Sequence, residues 1–395
     1  MKNSSNPYQF QKSPAQKGIR ISSAGAVALG EIVRFLETLS EKDLSEDLLR
    51  AREDLKRQTA DSSLRETTIS GRDAGLTGFV LSQDERSQMS RIPQNKWPRF
   101  IRYRYRFKVY PRQRRLSDFP IVVLIEPTSI CNLRCQMCFQ SDDSFSKEKS
   151  FLGRMEFGLF QKIIDEMEAH GCDGLVLASR GEPTLHPRFT DMLDYAAPRI
   201  LDVKLNTNAT RLDEALCHRI LEAEPNLMVF SMDSADPAQY EEIRRGAKFD
   251  RVLGNIRRFR DIRAKSYPGS RTTTRISATL FRNDQNAEAI RSFWSEYADQ
   301  VAVHTAWPFW DSYNAPLSDV SSPCGLLWER MYVWWDGLCN PCDIDYKSML
   351  TMGQVDTQTT IQKIWLGEKA QQLRKLHGSA RKNACTPCNR CSGTV

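Results

Sequence analysis

Three cysteines within eight residues are the part of this sequence with the clearest capacity for chemistry. Cys131, Cys135 and Cys138 form a Cys-x3-Cys-x2-Cys array directly after the apolar run 121–125. Thiols this close together in a long chain are typical of metal ligation, whereas disulfide frameworks belong mainly to small secreted domains. Three thiolates can hold three irons of a 4Fe–4S cluster and leave the fourth iron open to a small-molecule ligand. A zinc site and thiols without a metal are the alternatives.

A second group of cysteines lies near the C-terminus. Six cysteines fall between residues 324 and 391, so nine of the eleven in the chain belong to the two groups. Cys172 and Cys217 stand apart, and we expect them to be packed, inert thiols. Paired Cys-x2-Cys groups such as Cys385 and Cys388 suit a structural zinc ion as well as an iron–sulfur cluster, so spacing alone does not separate the two metals.

Length and composition indicate a globular protein with about two or three structural units. The chain has 395 residues, of which 40% are hydrophobic, and it includes eight tryptophans. The longest nearly uninterrupted apolar stretches, residues 24–29 and 121–125, are far too short to span a bilayer. The first residues lack the apolar core of a secretory signal, so we expect a cytoplasmic location.

From residue 118 onward, short apolar segments alternate with amphipathic ones. Six strands are predicted, at residues 121–125, 175–178, 203–205, 227–230, 275–280 and 301–304. Helices are predicted between them, among others at residues 155–170, 213–222 and 286–298. Strands and helices in alternation favour a parallel sheet, so the predicted fold class is α/β.

Polar residues follow most of the predicted strands directly. They are Glu126, residues 179–182, 206–208 and 231–233, and the loop 304–311. The carboxyl ends of the strands meet on one face of a parallel barrel, so we expect these side chains to line one site. The cysteine array lies in the first of these loops and would therefore belong to the same face.

The N-terminal part contains a basic segment whose role the sequence leaves open. Two amphipathic helices are predicted around residues 32–39 and 44–55, and residues 59–98 are polar and irregular, typical in part of a linker. Between residues 101 and 110, apolar and basic residues alternate, which predicts a strand with one basic face. Interleaved aromatic and basic side chains could bind phosphate, nucleotide or RNA. The favoured alternative is a solvated strand whose charges prevent edge-to-edge pairing.

The cysteine array resembles the signature of the radical S-adenosylmethionine (SAM) superfamily, whose open iron chelates the amino and carboxylate groups of SAM. The resemblance covers residues 119–395 and implies a partial (β/α)6 barrel, similar to a TIM barrel. Arg180-Gly181-Glu182-Pro183 is similar to the family's Gly-Gly-Glu-Pro motif. By this resemblance Glu182 would accept a hydrogen bond from the ammonium of SAM, and Gly181 would let the backbone approach closely. Arginine replaces the usual first glycine, so Arg180 could instead face a substrate anion.

The same resemblance implies further contacts to SAM. Asn208 follows the third predicted strand, and Ser231 and Asp233 follow the fourth, at positions that relatives use for the ribose and the methionyl group. Arg244 lies in a segment that looks like the family's arginine-bearing helix, whose arginine pairs with the SAM carboxylate. A surface salt bridge is the alternative for Arg244.

One position of the array departs from the family pattern. Many relatives carry an aromatic residue at the position of Met137, where it covers the adenine. Methionine can pack on a purine face, or Phe139 would take over this contact.

The C-terminal cysteines resemble the SPASM/twitch extension, which carries one or two auxiliary iron–sulfur clusters. Residues 332–338 predict a hairpin, and residues 361–376 predict a helix that returns the chain to the last cysteines. Two clusters in such a domain need seven cysteines with longer terminal spacings, and six are present. The resemblance therefore implies one auxiliary 4Fe–4S cluster. We expect its ligands to be Cys324, Cys342, Cys385 and Cys388, with Cys339 and Cys391 as substitutes or free thiols.

The resemblance implies a radical enzyme with three regions. An N-terminal extension would span residues 1–118, the radical SAM core residues 119–311, and a small α+β cluster-binding domain residues 312–395. SAM would be cleaved to methionine and a 5′-deoxyadenosyl radical that abstracts a substrate hydrogen atom, with an electron from a reductant such as flavodoxin or ferredoxin. Asp311, in an aromatic loop at the barrel mouth, could act as acid or base.

Three classes of substrate or ligand follow from these patterns. From the breadth of the family we expect an oxidative modification of a peptide or protein, with the auxiliary cluster as electron acceptor. A dehydrogenase or epimerase acting on a sugar or aminocyclitol is the alternative. A nucleic-acid-binding protein with structural metal sites is a different class of hypothesis and depends on the basic–aromatic segment. We expect neither nucleic acid nor a membrane as a partner.

Overall fold

A ten-stranded sheet organises the residues that the computed structural model describes, which are 19–21, 26–60, 78–305 and 312–391. The strands, in chain order, are β1 (Ile19–Ile21), β2 (Val122–Ile125), β3 (Arg134–Cys135), β4 (Gly174–Leu177), β5 (Asp202–Thr207), β6 (Leu227–Ser231), β7 (Arg244–Arg245), β8 (Thr273–Leu280), β9 (Gln300–Thr305), β10 (Arg330–Val333), β11 (Leu338–Asn340) and β12 (Gly353–Gln354). The α-helices are α1 (Leu29–Thr38), α2 (Glu46–Ala60), α3 (Gln83–Met89), α4 (Trp97–Gln113), α5 (Asp143–Ser146), α6 (Phe157–Ala169), α7 (Phe189–Ala196), α8 (Glu214–Ala223), α9 (Pro237–Ile243), α10 (Phe249–Ser266), α11 (Ala287–Trp294), α12 (Ile361–Trp365) and α13 (Glu368–Gly378).

Six neighbouring strands run parallel and form an open barrel. Their order across the sheet is β9-β8-β6-β5-β4-β2, and every successive pair is parallel. All six lie where the sequence predicts strands, within two residues at each end. Outside them, β1 pairs antiparallel with β9, and β10 pairs parallel with β2. The predicted α/β partial barrel is therefore confirmed.

Amphipathic helices cover the outer face of this sheet. In α6, Phe160, Ile163, Ile164 and Met167 recur at helical spacing and are fully buried. They share one apolar core with outward-facing strand residues such as Val123. The helices predicted at 155–170, 213–222 and 286–298 are present as α6, α8 and α11, and α11 ends four residues earlier than predicted. Within the described residues, no helix combines the length and apolar character needed to cross a membrane.

The N-terminal helices cover the inner face of the barrel sheet. Successive side chains of a strand point to opposite faces, and the inner residues Val122 and Leu124 share an apolar cluster with Ile101 of α4. The Tyr103 hydroxyl donates a hydrogen bond to the Asp202 carboxylate at 3.1 Å. The extension therefore packs inside the open barrel and is not a separate appendage.

The two helices predicted for the N-terminal region are confirmed, whereas the irregular segment predicted after them needs correction. The helices expected near residues 32–39 and 44–55 are present as α1 and α2. The segment 59–98, predicted to be irregular, contains α3, whose Ser82 and Glu85 form a reciprocal capping box. Local capping chemistry thus begins a helix where composition alone indicated a linker.

The strand predicted at residues 101–110 is wrong, because this segment forms the middle of α4. Its aromatic residues are largely buried. The apolar parts of its arginine and lysine side chains pack along the helix, and their charged ends contact acidic side chains. Arg106 pairs with Asp47 at 2.6 Å, and Lys108 pairs with Glu85 at 2.5 Å. These acids lie far away in sequence, so the alternation of residues did not reveal them. Both the favoured solvated strand and the alternative of a basic–aromatic face for nucleic acid are therefore replaced by a largely buried helix with paired charges.

The C-terminal hairpin extends the barrel sheet. As predicted, β10 and β11 pair antiparallel across a turn in which Gly337 has a φ of 87°. Because β10 also pairs with β2, the cysteine-rich region is joined directly to the first barrel strand. The single helix predicted at 361–376 is divided into α12 and α13. The break falls at Gly367, where a Cβ atom would lie 2.8 Å from the Lys363 carbonyl oxygen.

We expect Lys108→Met to destabilise the protein strongly. Lys108 is buried, and its Nζ donates to Glu85 and to the Val80 carbonyl oxygen at 2.7 Å. Burial favours protonation of Glu85, but Lys108 and Arg104 outweigh it and lower the Glu85 pKa from 4.5 to about 2. Breaking a buried ion pair costs about 3–5 kcal/mol. Hydrogen exchange of α3 and α4 and the thermal midpoint measure this loss.

The stabilisation by Glu85 depends on pH in a defined direction. Because the folded pKa is lowered, this stabilisation is present above about pH 4.5 and is lost as pH falls toward 2. The difference between Lys108→Met and wild type should therefore shrink below pH 4.5. Arg50→Ala is the control, since Arg50 and its partner Glu46 are both largely exposed. Equal effects of the two substitutions at pH 7 would contradict this account.

Candidate functional site

The three cysteines of the array line one cavity at the carboxyl ends of the barrel strands. The cavity has a volume of about 290 Å³. Strand β3, which ends at Cys135, pairs antiparallel with β7, and this places Cys135 opposite Arg244. Nine of the eleven cofactor contacts and metal ligands predicted in this part of the chain line the cavity. They are Cys131, Cys135, Cys138, Phe139, Gly181, Glu182, Asn208, Ser231 and Arg244, of which Phe139 is the substitute for an aromatic at position 137.

The surroundings of the three sulfurs fit a bound cluster. Burial raises the pKa of the Cys131 thiol to about 12 and also raises the pKa of Cys135 and Cys138. Deprotonated sulfurs at these positions therefore need a cation, as metal ligation provides. N–H groups already point at the sulfurs: Leu133 N–H lies 3.5 Å from Cys131 Sγ, and Gln140 N–H lies 3.5 Å from Cys138 Sγ. Such donors stabilise cluster thiolates.

Glu182 is fixed at the cavity wall by hydrogen bonds to both carboxylate oxygens. Oε1 accepts from the hydroxyls of Thr184 and Thr207, each at 2.6 Å, and Oε2 accepts from Asn208 N–H at 2.7 Å. Oε2 keeps one lone pair without a protein donor among these bonds. Burial raises the pKa of this carboxyl, although the same hydrogen bonds oppose the shift. The carboxylate is therefore held ready for a cationic partner.

Gly181 brings this loop against the cysteine loop. A Cβ atom at Gly181 would lie 2.1 Å from the Thr128 carbonyl oxygen and 2.7 Å from that of Ile130. The Glu182 N–H donates to the same Ile130 carbonyl at 3.0 Å. The close approach that the sequence predicts is thus to the backbone just before Cys131. Pro183 begins the 3-10 turn behind Glu182 and does not line the cavity.

Arg244 and Asp233 form a buried ion pair beside the cysteines. Arg244 Nη2 lies 2.7 Å from Asp233 Oδ2, and Arg244 Nη1 lies 3.8 Å from Cys135 Sγ. Asp233 is fully buried, accepts a hydrogen bond from Thr279 N–H at 2.8 Å, and is absent from the cavity wall. Arg244 follows α9 at its C-terminal end, so it is neither inside a helix nor part of a surface salt bridge. Asp233 thus orients Arg244 toward the cavity.

Phe139 is held by aromatic packing against the C-terminal domain. Its ring stacks on Tyr346 with centroids 5.0 Å apart and meets Phe145 edge-on. Met137, the other residue considered for covering the adenine, also lines the cavity and packs against Ile243 and Phe281. The structure therefore places both candidates on the cavity wall.

Arg180 does not face a substrate anion, as one sequence-based alternative suggested. Its guanidinium makes two hydrogen bonds to Glu126, at 2.6 and 2.7 Å, and donates a third to the Tyr346 carbonyl at 2.9 Å. The guanidinium also lies over the Trp334 ring, 4.2 Å from its centroid. Arg180 is therefore a buried link between the barrel and the C-terminal hairpin. The preceding Ser179, with a φ of 122°, bears backbone strain at this point.

Sequence reasoning missed one acidic residue of the cavity. Asp343 follows Cys342 directly and contributes to the same wall as the three cysteines. Burial raises the pKa of its carboxyl. Its adjacency to a predicted ligand could have drawn attention to it, but only the β10–β11 hairpin shows that this position reaches the barrel.

The structure also brings together the four cysteines predicted to hold the auxiliary cluster. The hydrogen bond with Cys385 raises the pKa of Cys388, and burial and the Cys342 and Cys324 thiols raise it further. The same hydrogen bond lowers the pKa of Cys385. A ring nitrogen of His377 and the sulfurs of Cys385 and Cys388 lie within 4.8 Å of one another. Four converging thiols fit an iron–sulfur cluster.

Of the two substitute ligands, Cys339 lies apart from this group, in the main apolar core. It is fully buried, with its sulfur near the Gly337 carbonyl. Cys391 lies at the end of the last 3-10 turn, where its carbonyl accepts a hydrogen bond from Lys382 at 2.8 Å. Asp311 lies outside the described residues and stays a prediction.

We expect Gly181→Ala to prevent assembly of the first metal centre. The new Cβ would displace the backbone at Thr128 and Ile130, and with it the loop that carries the cysteines. Iron content and SAM cleavage after anaerobic reconstitution should both fall strongly. Gly254→Ala in α10 is the control, because no atom lies within 4 Å of a Cβ at that position. Full iron content in Gly181→Ala would refute the close-approach argument.

Comparisons with known proteins agree with this arrangement. The model of the radical SAM superfamily matches residues 125–293, and the model of the SPASM iron–sulfur cluster-binding domain matches residues 324–392. The tungsten-containing aldehyde ferredoxin oxidoreductase cofactor-modifying protein of Pyrococcus furiosus is 37% identical over 116 residues, which cover 29% of this chain and 31% of that protein. Mycofactocin maturase MftC of Mycobacterium tuberculosis is 28% identical over 186 residues, which cover 47% and 44%. The chain thus spans less than half the length of these curated relatives.

A solved structure shares the fold. Streptococcus suis SuiB bound to S-adenosylmethionine matches with a TM-score of 0.52 and 14% identity, over 95% of this chain and 92% of that one. The family's cofactors are a 4Fe–4S cluster and SAM, together with auxiliary iron–sulfur clusters in the SPASM domain. With its cysteine-lined cavity and its second group of converging thiols, the chain belongs to the radical SAM superfamily and carries an SPASM domain.

Proposed function

We propose that this radical SAM enzyme oxidatively modifies a peptide or protein, with the auxiliary cluster as the electron acceptor. When bound, the 4Fe–4S cluster and SAM supply a 5′-deoxyadenosyl radical for hydrogen abstraction. The observation that carries the proposal is the position of Asp343. This residue is next to Cys342 of the auxiliary group and lines the cavity of the first cysteine array. A substrate in the cavity would therefore lie between the two metal centres.

The residues of the cavity would bind and orient SAM in distinct ways. Glu182 Oε2 has a lone pair for the ammonium group, and Arg244, oriented by Asp233, presents its guanidinium to the carboxylate. Asn208 and Ser231, at the ends of β5 and β6, offer an amide and a hydroxyl for the ribose.

Cavity size supports a substrate that enters only in part. A volume of about 290 Å³ lies at the lower end of the range for pockets that hold one small molecule. SAM must occupy part of this space, so little enclosed volume remains for a second complete molecule. A peptide or protein can insert one side chain while the rest stays outside. The name of one relative, a maturase, is consistent with such a substrate.

We also propose a cytoplasmic location and a low-potential electron donor such as flavodoxin or ferredoxin. Reductive SAM cleavage needs one electron per turnover, which a low-potential protein donor would supply to the cluster. Asp311 remains a proposed acid or base.

Screening deuterated substrates tests the proposed substrate class. Deuterium should move into 5′-deoxyadenosine from side-chain-labelled peptides and not from labelled sugars or aminocyclitols. Cys385→Ala should reduce iron from about eight to about four atoms per chain and abolish the oxidised product, while uncoupled SAM cleavage persists. Transfer from a sugar alone, or oxidised product from Cys385→Ala, would reject the proposal.

Asp343→Asn should separate SAM cleavage from substrate turnover. The substitution leaves the first cysteine array and Glu182 in place, so slow cleavage of SAM without substrate should remain near wild type. Deuterium transfer from the peptide should fall at least tenfold, because the carboxylate facing the cavity is lost. Asp319→Asn, at an exposed position of the same domain, is the control. Equal transfer by wild type and Asp343→Asn would remove Asp343 from the substrate site.

A further inference from the structure

We propose that His377 donates a hydrogen bond from Nε2–H to the sulfur of Cys385 in the auxiliary cluster and does not itself bind an iron. This contact would raise the reduction potential of that cluster. The inference rests on the auxiliary cluster of the proposed function but is independent of the substrate.

His377 lies in the last turn of α13, inside the group of auxiliary cysteines. Only 1% of its surface is exposed, and a ring nitrogen lies within 4.8 Å of the Cys385 and Cys388 sulfurs. Its Nε2 is buried and has no hydrogen-bond partner among the described residues. A buried polar atom without a partner is costly. The Cys385 sulfur, once it binds a cluster, would supply the acceptor for His377 Nε2–H.

The hydrogen bonding of the other ring nitrogen decides between donor and ligand. The backbone N–H of Cys324 donates to His377 Nδ1 at 3.2 Å. A backbone N–H can only donate, so Nδ1 must be unprotonated, and the proton of the neutral imidazole lies on Nε2. A protonated nitrogen cannot bind a metal, but it can donate to a thiolate. The four cysteines then remain sufficient as ligands for four irons.

Cys324 links this tautomer to the cluster itself. It is one of the four predicted ligands, so the residue that fixes His377 is attached to the same centre that His377 would contact. Lys382 is also buried nearby, and its Nζ donates to the Cys391 carbonyl at 2.8 Å. Hydrogen bonds and positive charge near cluster sulfurs favour the reduced state, and this effect raises the potential. An acceptor of substrate electrons benefits from such a shift.

Redox titration of the isolated auxiliary signal tests this role. Full-length protein with Cys131, Cys135 and Cys138 replaced by alanine serves as the parent, so that only the auxiliary cluster gives an electron paramagnetic resonance signal. His377→Leu should shift the midpoint potential to more negative values. His377→Gln, whose amide N–H can reach the position of Nε2–H, should stay close to the parent. All three proteins should hold about four iron atoms per chain.

Three outcomes of this titration would overturn the proposal. An unchanged potential in His377→Leu would exclude the hydrogen bond. Loss of iron from both His377 variants would indicate a ligand. A parent without iron would remove the auxiliary cluster on which the inference depends, whereas failure to find a peptide substrate would leave these measurements unaffected.

A measurement on the unaltered His377 covers the case in which His377→Leu does not fold. The parent protein is labelled with ¹⁵N-histidine, and the reduced auxiliary cluster is studied by pulsed electron paramagnetic resonance. A weak ¹⁵N coupling, together with an exchangeable deuteron in D₂O, is expected for an N–H donor. A strong coupling typical of a directly bound nitrogen would overturn the proposal, and so would the absence of any ¹⁵N coupling.

Discussion

Glu126 and Arg180 follow two adjacent parallel strands, β2 and β4, and their side chains form a doubly hydrogen-bonded ion pair with almost no exposure to solvent. The same guanidinium donates to the Tyr346 carbonyl and packs on Trp334, both in the C-terminal region. Removing one partner from such a buried pair costs about 3–5 kcal/mol, so the arrangement strongly constrains the structure. Because Gly181 is the next residue, this pair fixes the loop that carries Gly181 and Glu182 relative to the C-terminal domain.

The inner helices add a second constraint by filling the barrel from the opposite end. An open sheet of six parallel strands leaves an apolar inner face, and Val122 and Leu124 are covered there by α4. The hydrogen bond from the Tyr103 hydroxyl to the Asp202 carboxylate fixes the same helix to the N-terminal end of β5. The cavity is consequently confined to the carboxyl ends of the strands, where the cysteines lie. The N-terminal extension thus shapes the site without contributing a cavity-lining side chain among the described residues.

Features that depend on neighbouring residues could be predicted from the sequence. Predictions failed for residues whose contacts lie far away in the sequence. Strand positions follow from short apolar runs, and cysteine spacing indicated both metal centres. The segment 101–110 was assigned to a strand because its alternation was visible, whereas the acids that neutralise its charges lie in α2 and α3. Arg180 was ambiguous for the same reason, since Glu126 is 54 residues away. His377 carried no motif and becomes notable only beside cysteines that the fold assembles.

The ion pair between Arg244 and Asp233 limits how Arg244 can act on SAM. A carboxylate approaching a free guanidinium meets a full positive charge, but here Asp233 compensates much of that charge at 2.7 Å. Arg244 Nε is nevertheless buried without a partner among the described residues, and a directional donor therefore remains. Its contribution would thus come mainly from hydrogen-bond geometry rather than from net charge. Because this ion pair is neutral overall, it would do little to stabilise the negative charge of a cluster bound at Cys135. That stabilisation would come largely from the N–H donors around the sulfurs.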